Sequence, residues 1–268
     1  MIMKNFKQRY GQWALVTGGT SGIGAAIVRQ LAAEDLNVVM VARNTQNLEA
    51  QAAQLRQQSH VEIRTVSADL MTPEGLNQVL EATRDLQIDM LVPCAAIETM
   101  GLFVDSPLER HQQMLQMNVV APMTLARHFG AGMAQRGQGA ILFVSSLSGW
   151  MPQPFMAQYG ATKSYVMGLA AGLHFEMKDQ GVDVSVLSPG PTDTPMAAAT
   201  DIDFASMGMS IMRPDDVAAC GLAALGRRLD AVPGPRNKVM AFMMSRLMSR
   251  GLAGAMFKMM IGRALKKA

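Results

Sequence analysis

The most constraining feature of this sequence is the regular alternation of short apolar runs with helical patterns as far as residue 190. Six runs have the length and composition of buried strands: 13–18, 36–42, 61–68, 88–96, 139–146 and 182–190. Helical patterns lie between and after them, at 22–33, 48–58, 73–85, 107–135, 156–178 and 213–228. Because the strand-like runs are continuously apolar, they predict parallel strands buried on both faces. We therefore expect an α/β fold, with a doubly wound parallel sheet of about seven strands and helices on both faces.

Size and composition agree with one such domain. The chain has 268 residues, of which 49% are hydrophobic and 17% charged, enough for a large core. Cys94 and Cys220 are the two cysteines, and neither has the spacing of a metal site or redox motif. We therefore predict no metal and a reduced, cytoplasmic setting. The N-terminus lacks the apolar core of a secretion signal, and no run of about 18 uncharged apolar residues predicts a membrane span.

The charge and the methionines are distributed unevenly. Residues 227–268 contain ten Lys or Arg residues and one acid, Asp230. We divide the chain into a main α/β domain at 1–235 and a Met-rich, basic helical extension at 236–268. The extension is interpreted as two short helices, broken at Gly251 and Gly254. Three roles stay open for it: a lid or subunit interface, a peripheral membrane contact, or a basic face without a partner. Nucleic acid is not predicted, because no binding motif is present.

A glycine-rich loop joins the first strand to the first helix. The segment TGGTSGIG (17–24) has glycines at 18, 22 and 24. Glycine allows a tight turn and a close approach of phosphate to the backbone, and the following helix offers free N–H groups. A structural turn would also use glycine, but the position between strand and helix favours a dinucleotide phosphate site. This loop makes the predicted fold Rossmann-like.

The end of the second strand indicates which nicotinamide cofactor binds. Enzymes that prefer NAD usually carry an acid there to hold the ribose 2′-hydroxyl. This chain has Ala42 followed by Arg43. Without an acid at this position a 2′-phosphate is not repelled, and the guanidinium of Arg43 can pair with it. The prediction is NADP(H); the alternative is that Arg43 is a solvent-facing loop residue. Asp69 either contacts the adenine or caps the next turn.

Further polar residues are predicted at the same edge of the sheet. Ser146 ends a strand, and Tyr159 and Lys163 begin the next helix, four residues apart and so on one helix face. The segment SPGPTDT (188–194) ends the following strand, and Asn118 lies inside the long helix 107–135. Ligands of open α/β sheets bind outside the carboxyl ends of the strands, so these residues are expected to meet there.

Together, these motifs resemble the classical short-chain dehydrogenase/reductase family over about residues 12–228. The resemblance implies that Tyr159 transfers a proton to a carbonyl oxygen and that Lys163 lowers the tyrosine pKa. It also implies that Ser146 stabilises the substrate oxygen and that Asn118 holds a relay water. The cofactor-binding residues predicted in this way and from the loop are Gly18, Thr20, Ser21, Gly22, Ile23, Gly24, Arg43, Asp69, Leu70, Ala95, Lys163, Pro189, Gly190, Thr192 and Thr194.

One segment departs from the family pattern. Where the family usually has Asn-Asn-Ala-Gly after the fourth strand, this chain has Pro93-Cys94-Ala95-Ala96. The departure removes two polar anchors beside the cofactor and does not affect the proton-transfer residues. Cys94 is interpreted as a small buried apolar residue rather than a reactive thiol.

The expected substrate pocket is apolar. Its predicted walls include Trp150, Phe155 and Met196, and no cluster of Lys or Arg is present to hold a small anion. The segment YGQWALVTG (10–18) resembles the branch with very-long-chain 3-oxoacyl-CoA reductases and 17β-hydroxysteroid dehydrogenases. We expect ketone–alcohol interconversion on a fatty-acyl, polyketide or steroid-like substrate by a homodimer or homotetramer. The alternative is a catalytically silent NADP(H)-binding regulator or scaffold.

Overall fold

The computed structural model describes residues 6–200, 202–204, 207 and 209–265, without the side chains of 244 and 263–265. Seven parallel strands form one sheet in the order β3-β2-β1-β4-β5-β6-β7. They are β1 (Trp13–Thr17), β2 (Asn37–Ala42), β3 (Ile63–Ser67), β4 (Ile88–Pro93), β5 (Gly139–Val144), β6 (Val182–Leu187) and β7 (Asp230–Ala231). This is the order of a Rossmann-like sheet with one added strand, and the predicted fold class is confirmed.

Helices cover both faces of the sheet. They are α1 (Phe6–Tyr10), α2 (Gly22–Ala33), α3 (Thr45–Gln58), α4 (Pro73–Ala82), α5 (Leu108–Leu115), α6 (Ala121–Arg136), α7 (Ala157–Lys178), α8 (Pro195–Ala198), α9 (Pro214–Leu222), α10 (Pro235–Phe242) and α11 (Arg250–Leu265). One apolar layer joins the sheet to α1, α2, α3 and α9, and the other joins it to α4, α6 and α7. The strands are buried on both sides, which explains their continuous apolar sequence.

The predicted helix at 107–135 has a local irregularity. Between α5 and α6 the chain makes a π-helical turn at Gln116–Val120, which contains the buried Asn118. Such a turn inserts one extra residue per helical turn and is frequent at functional sites. The turn changes the direction of its side chains relative to a regular α-helix. The amide of Asn118 lies beneath the loop that follows β4.

The C-terminal extension differs from its prediction in one respect. Helix α11 runs through Gly251 and Gly254 without a break, so the break predicted there is wrong. The break lies instead at Met248, whose backbone is extended, and the Ser249 hydroxyl then accepts the N–H of Leu252. A Cβ at Gly254 would lie 3.3 Å from that of Pro152, so this glycine serves the close packing of α11 on the loop after β5.

Two short elements, β7 and α1, were not predicted from the sequence. Strand β7 has two residues, and α1 has five, so neither is long enough to show a period. Helix α9 ends at Leu222 rather than 228, because residues 223–228 form turns closed by the Ala224 carbonyl. None of the described helices is both long and apolar enough to cross a bilayer.

Candidate active site

A cavity of about 500 Å³ lies at the carboxyl ends of the central strands. Its volume is in the range typical of small-molecule sites. The glycine loop and the ends of β2, β4 and β5 form one half of its wall. The segment after β6 and the C-terminal helices α10 and α11 supply the other half, which is rich in methionine. The sheet edge that topology favours for ligands therefore carries the cavity.

The glycine loop has the geometry that a phosphate cradle needs. Gly18 and Gly22 have φ values of +68° and +52°, which residues with a Cβ rarely adopt. A Cβ at Gly24 would overlap the carbonyl oxygen of Gly18, so the loop packs directly on the first turn of α2. The side chain of Ser21 does not cap this helix, which leaves its first N–H groups facing the cavity edge. These residues fit the pyrophosphate of a dinucleotide.

Arg43 lies at the end of β2, on the cavity wall, with 70% of its side chain exposed. Its Nη1 atom is 4.0 Å from Oδ2 of Asp69, a long ion pair that a phosphate could replace. Ala42 occupies the position of the usual acid and also lines the cavity. Asp69 itself is not among the lining residues. Its Oδ1 atom accepts the N–H of Met71 at 3.0 Å. This contact agrees with the alternative in which Asp69 caps the next turn.

The other predicted cofactor residues all contribute to the cavity wall. Thr194, after β6, caps the short helix α8 by accepting the N–H of Ala197 at 3.2 Å. Its methyl group lies close to Gly22: a Cβ added at Gly22 would be 2.7 Å from this methyl carbon. The glycine loop and the segment after β6 are therefore in direct contact at this part of the cavity wall.

Ser146, Tyr159 and Lys163 line the same cavity as the glycine loop and the methionine-rich segment. The Nζ atom of Lys163 lies 5.6 Å from the centroid of the Tyr159 ring and donates to the carbonyl oxygen of Val144 at 3.0 Å. The hydroxyl of Ser146 accepts the N–H of Ser148 at 3.1 Å and lies near the phenol, where it acts to lower the pKa of Tyr159. The neighbouring Ser145 donates instead to the backbone of Lys163 at 2.8 Å, fixing α7 to the end of β5.

Burial governs the proton affinities of this group. It lowers the pKa of Lys163 to about 8, with Cys94 and Glu98 opposing the shift. It raises the pKa of Tyr159 above its usual value, and the negative charge of Glu98 adds to this increase. Desolvation of the phenolate outweighs the lowering effect of Ser146, and the expectation that Lys163 lowers the tyrosine pKa stays a prediction. Tyr159 is protonated at neutral pH, and the protonated phenol is the form that can donate a proton.

Asn118 fixes the loop that departs from the family pattern. Its Nδ2 atom donates to the carbonyl oxygen of Ile97 at 2.8 Å, and its Oδ1 atom accepts the N–H of Ile97 at 2.9 Å. Nδ2 also lies 3.2 Å from the hydroxyl of Thr162 on α7. The backbone N–H of Ala95 is bound by the hydroxyl of Thr17 at 3.0 Å. These contacts hold the loop without the two usual asparagines.

Cys94 lines the cavity from the same loop. Burial raises the pKa of its thiol to about 11, so the group is neutral at physiological pH. A neutral buried thiol is a poor nucleophile, which agrees with the interpretation of Cys94 as a small apolar residue.

Glu98 is a residue that the sequence analysis missed. Its carboxyl group lies in the cavity wall near Lys163, and among the described residues no hydrogen bond or ion pair holds it. Burial raises its pKa to about 7, against the favourable charge of Lys163. The available signal was a lone acid directly after the apolar segment 90–97, in the loop that follows a central strand.

The other half of the cavity is apolar. Its large side chains are Met151, Met156, Met196, Phe204, Met207, Met209, Met240, Phe257, Met260 and Ile261. Met196 is thus placed as predicted, whereas Trp150 and Phe155 do not line the cavity. Trp150 packs with Leu147 and Val232, and Phe155 packs between Ile202 and Ile261, behind the wall.

Fold and site define a dinucleotide-binding oxidoreductase. The model of the short chain dehydrogenase family matches residues 12–203 of this chain, which therefore belongs to that family. It is an oxidoreductase that acts on CH–OH groups. A 7β-hydroxysteroid dehydrogenase from Clostridium sardiniense is 32% identical over 234 residues, covering 87% of this chain and 90% of its own length. A very-long-chain 3-oxoacyl-CoA reductase from Mus musculus is 31% identical over 193 residues, 70% of this chain and 62% of that protein.

Two solved structures superpose on most of this chain. One from a study of 7β-hydroxysteroid dehydrogenase stereoselectivity superposes with a TM-score of 0.88 at 29% identity, over 94% of this chain and 99% of that one. A short-chain dehydrogenase from Sphingobium yanoikuyae in complex with NADPH superposes with a TM-score of 0.78 at 31% identity, over 85% and 90%. These similarities support a nicotinamide cofactor.

Proposed function

We propose that this protein is an NADP(H)-dependent oxidoreductase that interconverts a ketone and a secondary alcohol on a bulky, apolar, steroid-like or fatty-acyl substrate. The observation that carries the proposal is the position of Tyr159. Tyr159 lines one cavity together with the glycine loop and the methionine-rich segment, and Lys163 lies beside its ring. A phenol in this shared cavity can serve the carbonyl of an apolar substrate that lies beside a nicotinamide ring. A polyketide is a further candidate of the same chemical class.

Preference for NADP(H) over NAD(H) rests on the end of β2. Ala42 presents no carboxylate to repel a 2′-phosphate, and the exposed guanidinium of Arg43 is free to turn toward one. An arginine can bind a phosphate through two parallel hydrogen bonds, which a single long contact to Asp69 does not prevent. The NADPH complex of the similar dehydrogenase described above agrees with this choice.

The proposed chemistry follows from the protonation states. When bound, the cofactor supplies a hydride to the carbonyl carbon or takes one from the alcohol. In the reductive direction, the neutral Tyr159 gives its phenolic proton to the carbonyl oxygen. The hydroxyl of Ser146 donates a hydrogen bond to that oxygen while negative charge develops on it. The ammonium of Lys163 stabilises the phenolate that remains, and Asn118 keeps the adjoining loop in place through Ile97.

The substrate class follows from the composition of the second half of the wall. Methionine side chains adapt to irregular apolar surfaces, so this half suits a fused-ring or acyl skeleton rather than a sugar acid. The cationic side chains of the wall are Arg43, at the far end of the cofactor half, and Lys163. The carboxyl group of Glu98 further disfavours an anion beside the reacting carbon. The similarity to a 7β-hydroxysteroid dehydrogenase favours steroids among the apolar candidates.

The proposal includes the organisation of the protein in the cell. Residues 1–235 form the NADP(H)-binding catalytic domain, and 236–268 extend it over the substrate half of the cavity. We place the protein in the cytoplasm as a homodimer or homotetramer. Exposed apolar side chains on α5, α6 and α7, such as Leu108 and Phe175, support pairing through those helices. We also assign the extension a peripheral contact with membranes.

The test is NADPH consumption by the purified protein with a panel of ketones. The panel contains steroids with oxo groups at different ring positions, a 3-oxoacyl thioester, and a small anionic 2-oxo acid. We expect turnover of at least one bulky apolar ketone, loss of that turnover in Tyr159→Phe, and no turnover of the oxo acid. Preferred turnover of the small acid would overturn the substrate class. Retention of full activity in Tyr159→Phe would overturn the assigned proton donor.

A further inference from the structure

The last two helices expose apolar side chains to solvent. On α10 and the π turn that follows it, these are Val239, Phe242, Met243 and Leu247, each 47–68% exposed. Spacings of three, four and eight residues place them on one helix face. On α11, Leu252, Met256 and Met259 are 38–54% exposed, at spacings of four and seven. Contiguous exposed apolar surface of this kind marks an interaction site in most soluble proteins. We call these seven residues the outer apolar face.

The same segment carries a one-sided charge. Between Ala231 and the C-terminus the chain contains eight Lys or Arg residues and neither Asp nor Glu. Five of the basic residues belong to the described part of the segment, where all are exposed: Arg236, Lys238, Arg246, Arg250 and Lys258. Within that part, none forms an ion pair within 4.0 Å. Cations flank the outer apolar face, and Asp230, just before this segment, interacts electrostatically with one of them, Arg246.

The opposite faces of these helices belong to the cavity. Met240 on α10, and Phe257, Met260 and Ile261 on α11, line its apolar half. Ala241 and Ala253 are buried against the body of the protein. The two helices are therefore a thin wall with substrate space on one side and solvent on the other. A ligand bound to the outer side is only one helix away from the substrate.

Charge decides which partner covers the outer apolar face. In a symmetric dimer, a two-fold axis would pack this surface against the same surface of the second copy. The basic residues of the two copies would then repel each other, because the segment contains no acid to pair with them. An anionic lipid surface supplies the missing negative charge and accepts Phe, Leu and Met side chains at the level of the headgroups. The basic, acid-free composition therefore favours a bilayer over a second copy of the chain.

We propose that the outer face of α10 and α11 docks on a bilayer containing anionic lipid, with the outer apolar face at the headgroup level. An apolar substrate dissolved in that bilayer then enters the cavity beside the helices that contact the membrane. Docking is inferred from the surface alone. The route of entry rests on the proposed function.

The experiment is flotation of the full-length protein with vesicles of phosphatidylcholine, with and without about one-third phosphatidylglycerol. We expect binding to the anionic vesicles, little binding to the neutral ones, and weakening by salt. A charge variant, Arg246→Gln/Arg250→Gln/Lys258→Gln, should bind on the order of 100-fold less tightly, since each basic residue near such a surface contributes about fivefold. An apolar variant, Phe242→Ser/Leu247→Ser/Leu252→Ser, should also lose binding.

Matched controls change equally exposed residues elsewhere. They are Arg84→Gln/Arg127→Gln/Lys178→Gln for charge and Leu102→Ser/Phe103→Ser/Val104→Ser for apolar surface, and both should bind like wild type. Thermal unfolding checks that each variant is folded. Equal binding to neutral and anionic vesicles, or no binding to either, overturns the proposal. If the wild-type protein does not bind vesicles and forms an oligomer that the apolar variant dissociates, the outer apolar face is a contact with a second copy of the chain instead.

A separate measurement distinguishes failure of the docking proposal from failure of the proposed function. Turnover of a water-soluble ketone with NADPH is measured on the same variants without vesicles. Vesicle binding without turnover of any ketone would refute the proposed function and leave docking intact. Turnover without vesicle binding would refute docking alone. Stimulation of turnover of a vesicle-dissolved steroid by anionic lipid, abolished in the charge variant, would support the route of entry.

Discussion

The ammonium of Lys163 lies 5.6 Å from the centre of the Tyr159 ring, and its nearest hydrogen-bond acceptor is the carbonyl oxygen of Val144 at the end of β5. The lysine is thus held by the sheet rather than by the phenol. In this arrangement the phenol keeps its proton, because burial raises its pKa. The protonated phenol is the form that can donate to a carbonyl oxygen, and four predictions follow from the geometry of the site and its surroundings.

Replacement of Tyr159 with Phe should lower kcat for ketone reduction by at least about 100-fold, since general acid catalysis contributes that much or more. NADPH affinity should change little, because Lys163 and the glycine loop are untouched. Steady-state kinetics and NADPH fluorescence titration measure the two effects. The matched control is Tyr165→Phe, a hydroxyl deletion on the same helix at a side chain that is 40% exposed, which should retain activity. Comparable losses in both variants would contradict the assignment.

Replacement of Arg43 with Ala should weaken NADPH binding by about 10- to 100-fold, the range expected for loss of a charge-assisted hydrogen bond. NADH binding should be nearly unchanged, because NADH lacks the 2′-phosphate. Titration of the variant and wild type with both cofactors gives the comparison. Arg84→Ala, at an exposed arginine outside the cavity, is the control. An equal loss for NADPH and NADH would show that Arg43 acts only through loop structure.

Replacement of Glu98 with Gln should raise thermal stability at alkaline pH and leave it unchanged in acid. The folded protein retains the Glu98 proton up to about pH 7, whereas the unfolded chain releases it near 4.5. Because the folded state binds the extra proton, wild-type stability falls as pH rises through this window. Lys163, Tyr159 and Cys94 face the same part of the cavity, and Lys163 limits the size of the effect.

Thermal unfolding at about pH 5 and about pH 8 tests this prediction. We expect the variant to exceed wild type by a few degrees at the higher pH, at roughly 2–4 °C per kcal/mol for a chain of this size. Glu109→Gln, on the exposed side of α5, should show no such difference. A variant less stable than wild type at the higher pH would mean that the Glu98 carboxylate is stabilising.

Replacement of Gly24 with Ala should destabilise the protein by about 1–3 kcal/mol, the usual cost of overpacking, because the new Cβ overlaps the Gly18 carbonyl oxygen. The loop would have to move, so NADPH binding should weaken as well. Gly262→Ala is the matched control: it lies within α11 with no atom within 4 Å of the added Cβ and should be neutral or stabilising. Denaturant unfolding and NADPH titration separate the two effects.

The parts predicted well from the sequence depend on local rules. The strands were identifiable because each is continuously apolar, and the glycine loop because it lies between a strand and a helix. Tyr159 and Lys163 were placed on one face by the helical period alone. Their meeting with Ser146 followed from the rule that the ends of parallel strands share one edge.

The parts that were missed depend on packing between distant segments. Gly254 was taken as a helix break, although it is required by contact with Pro152. Trp150 and Phe155 looked like pocket residues, but they pack behind the wall on segments that only the folded chain brings near. The rise in the pKa of Tyr159 results from burial by several elements at once, which spacing along a helix does not reveal. Glu98 had no motif around it.

The wall of the cavity is divided between two stretches of chain, and this division affects how the protein can diversify. The cofactor half consists of strand ends and a glycine loop, where an added methyl group collides with backbone. The methionine-rich half comes largely from residues after 190, in unbranched side chains that rearrange at little cost. Descendants of this gene can therefore acquire new substrates by mutating the later stretch while the hydride chemistry is inherited unchanged.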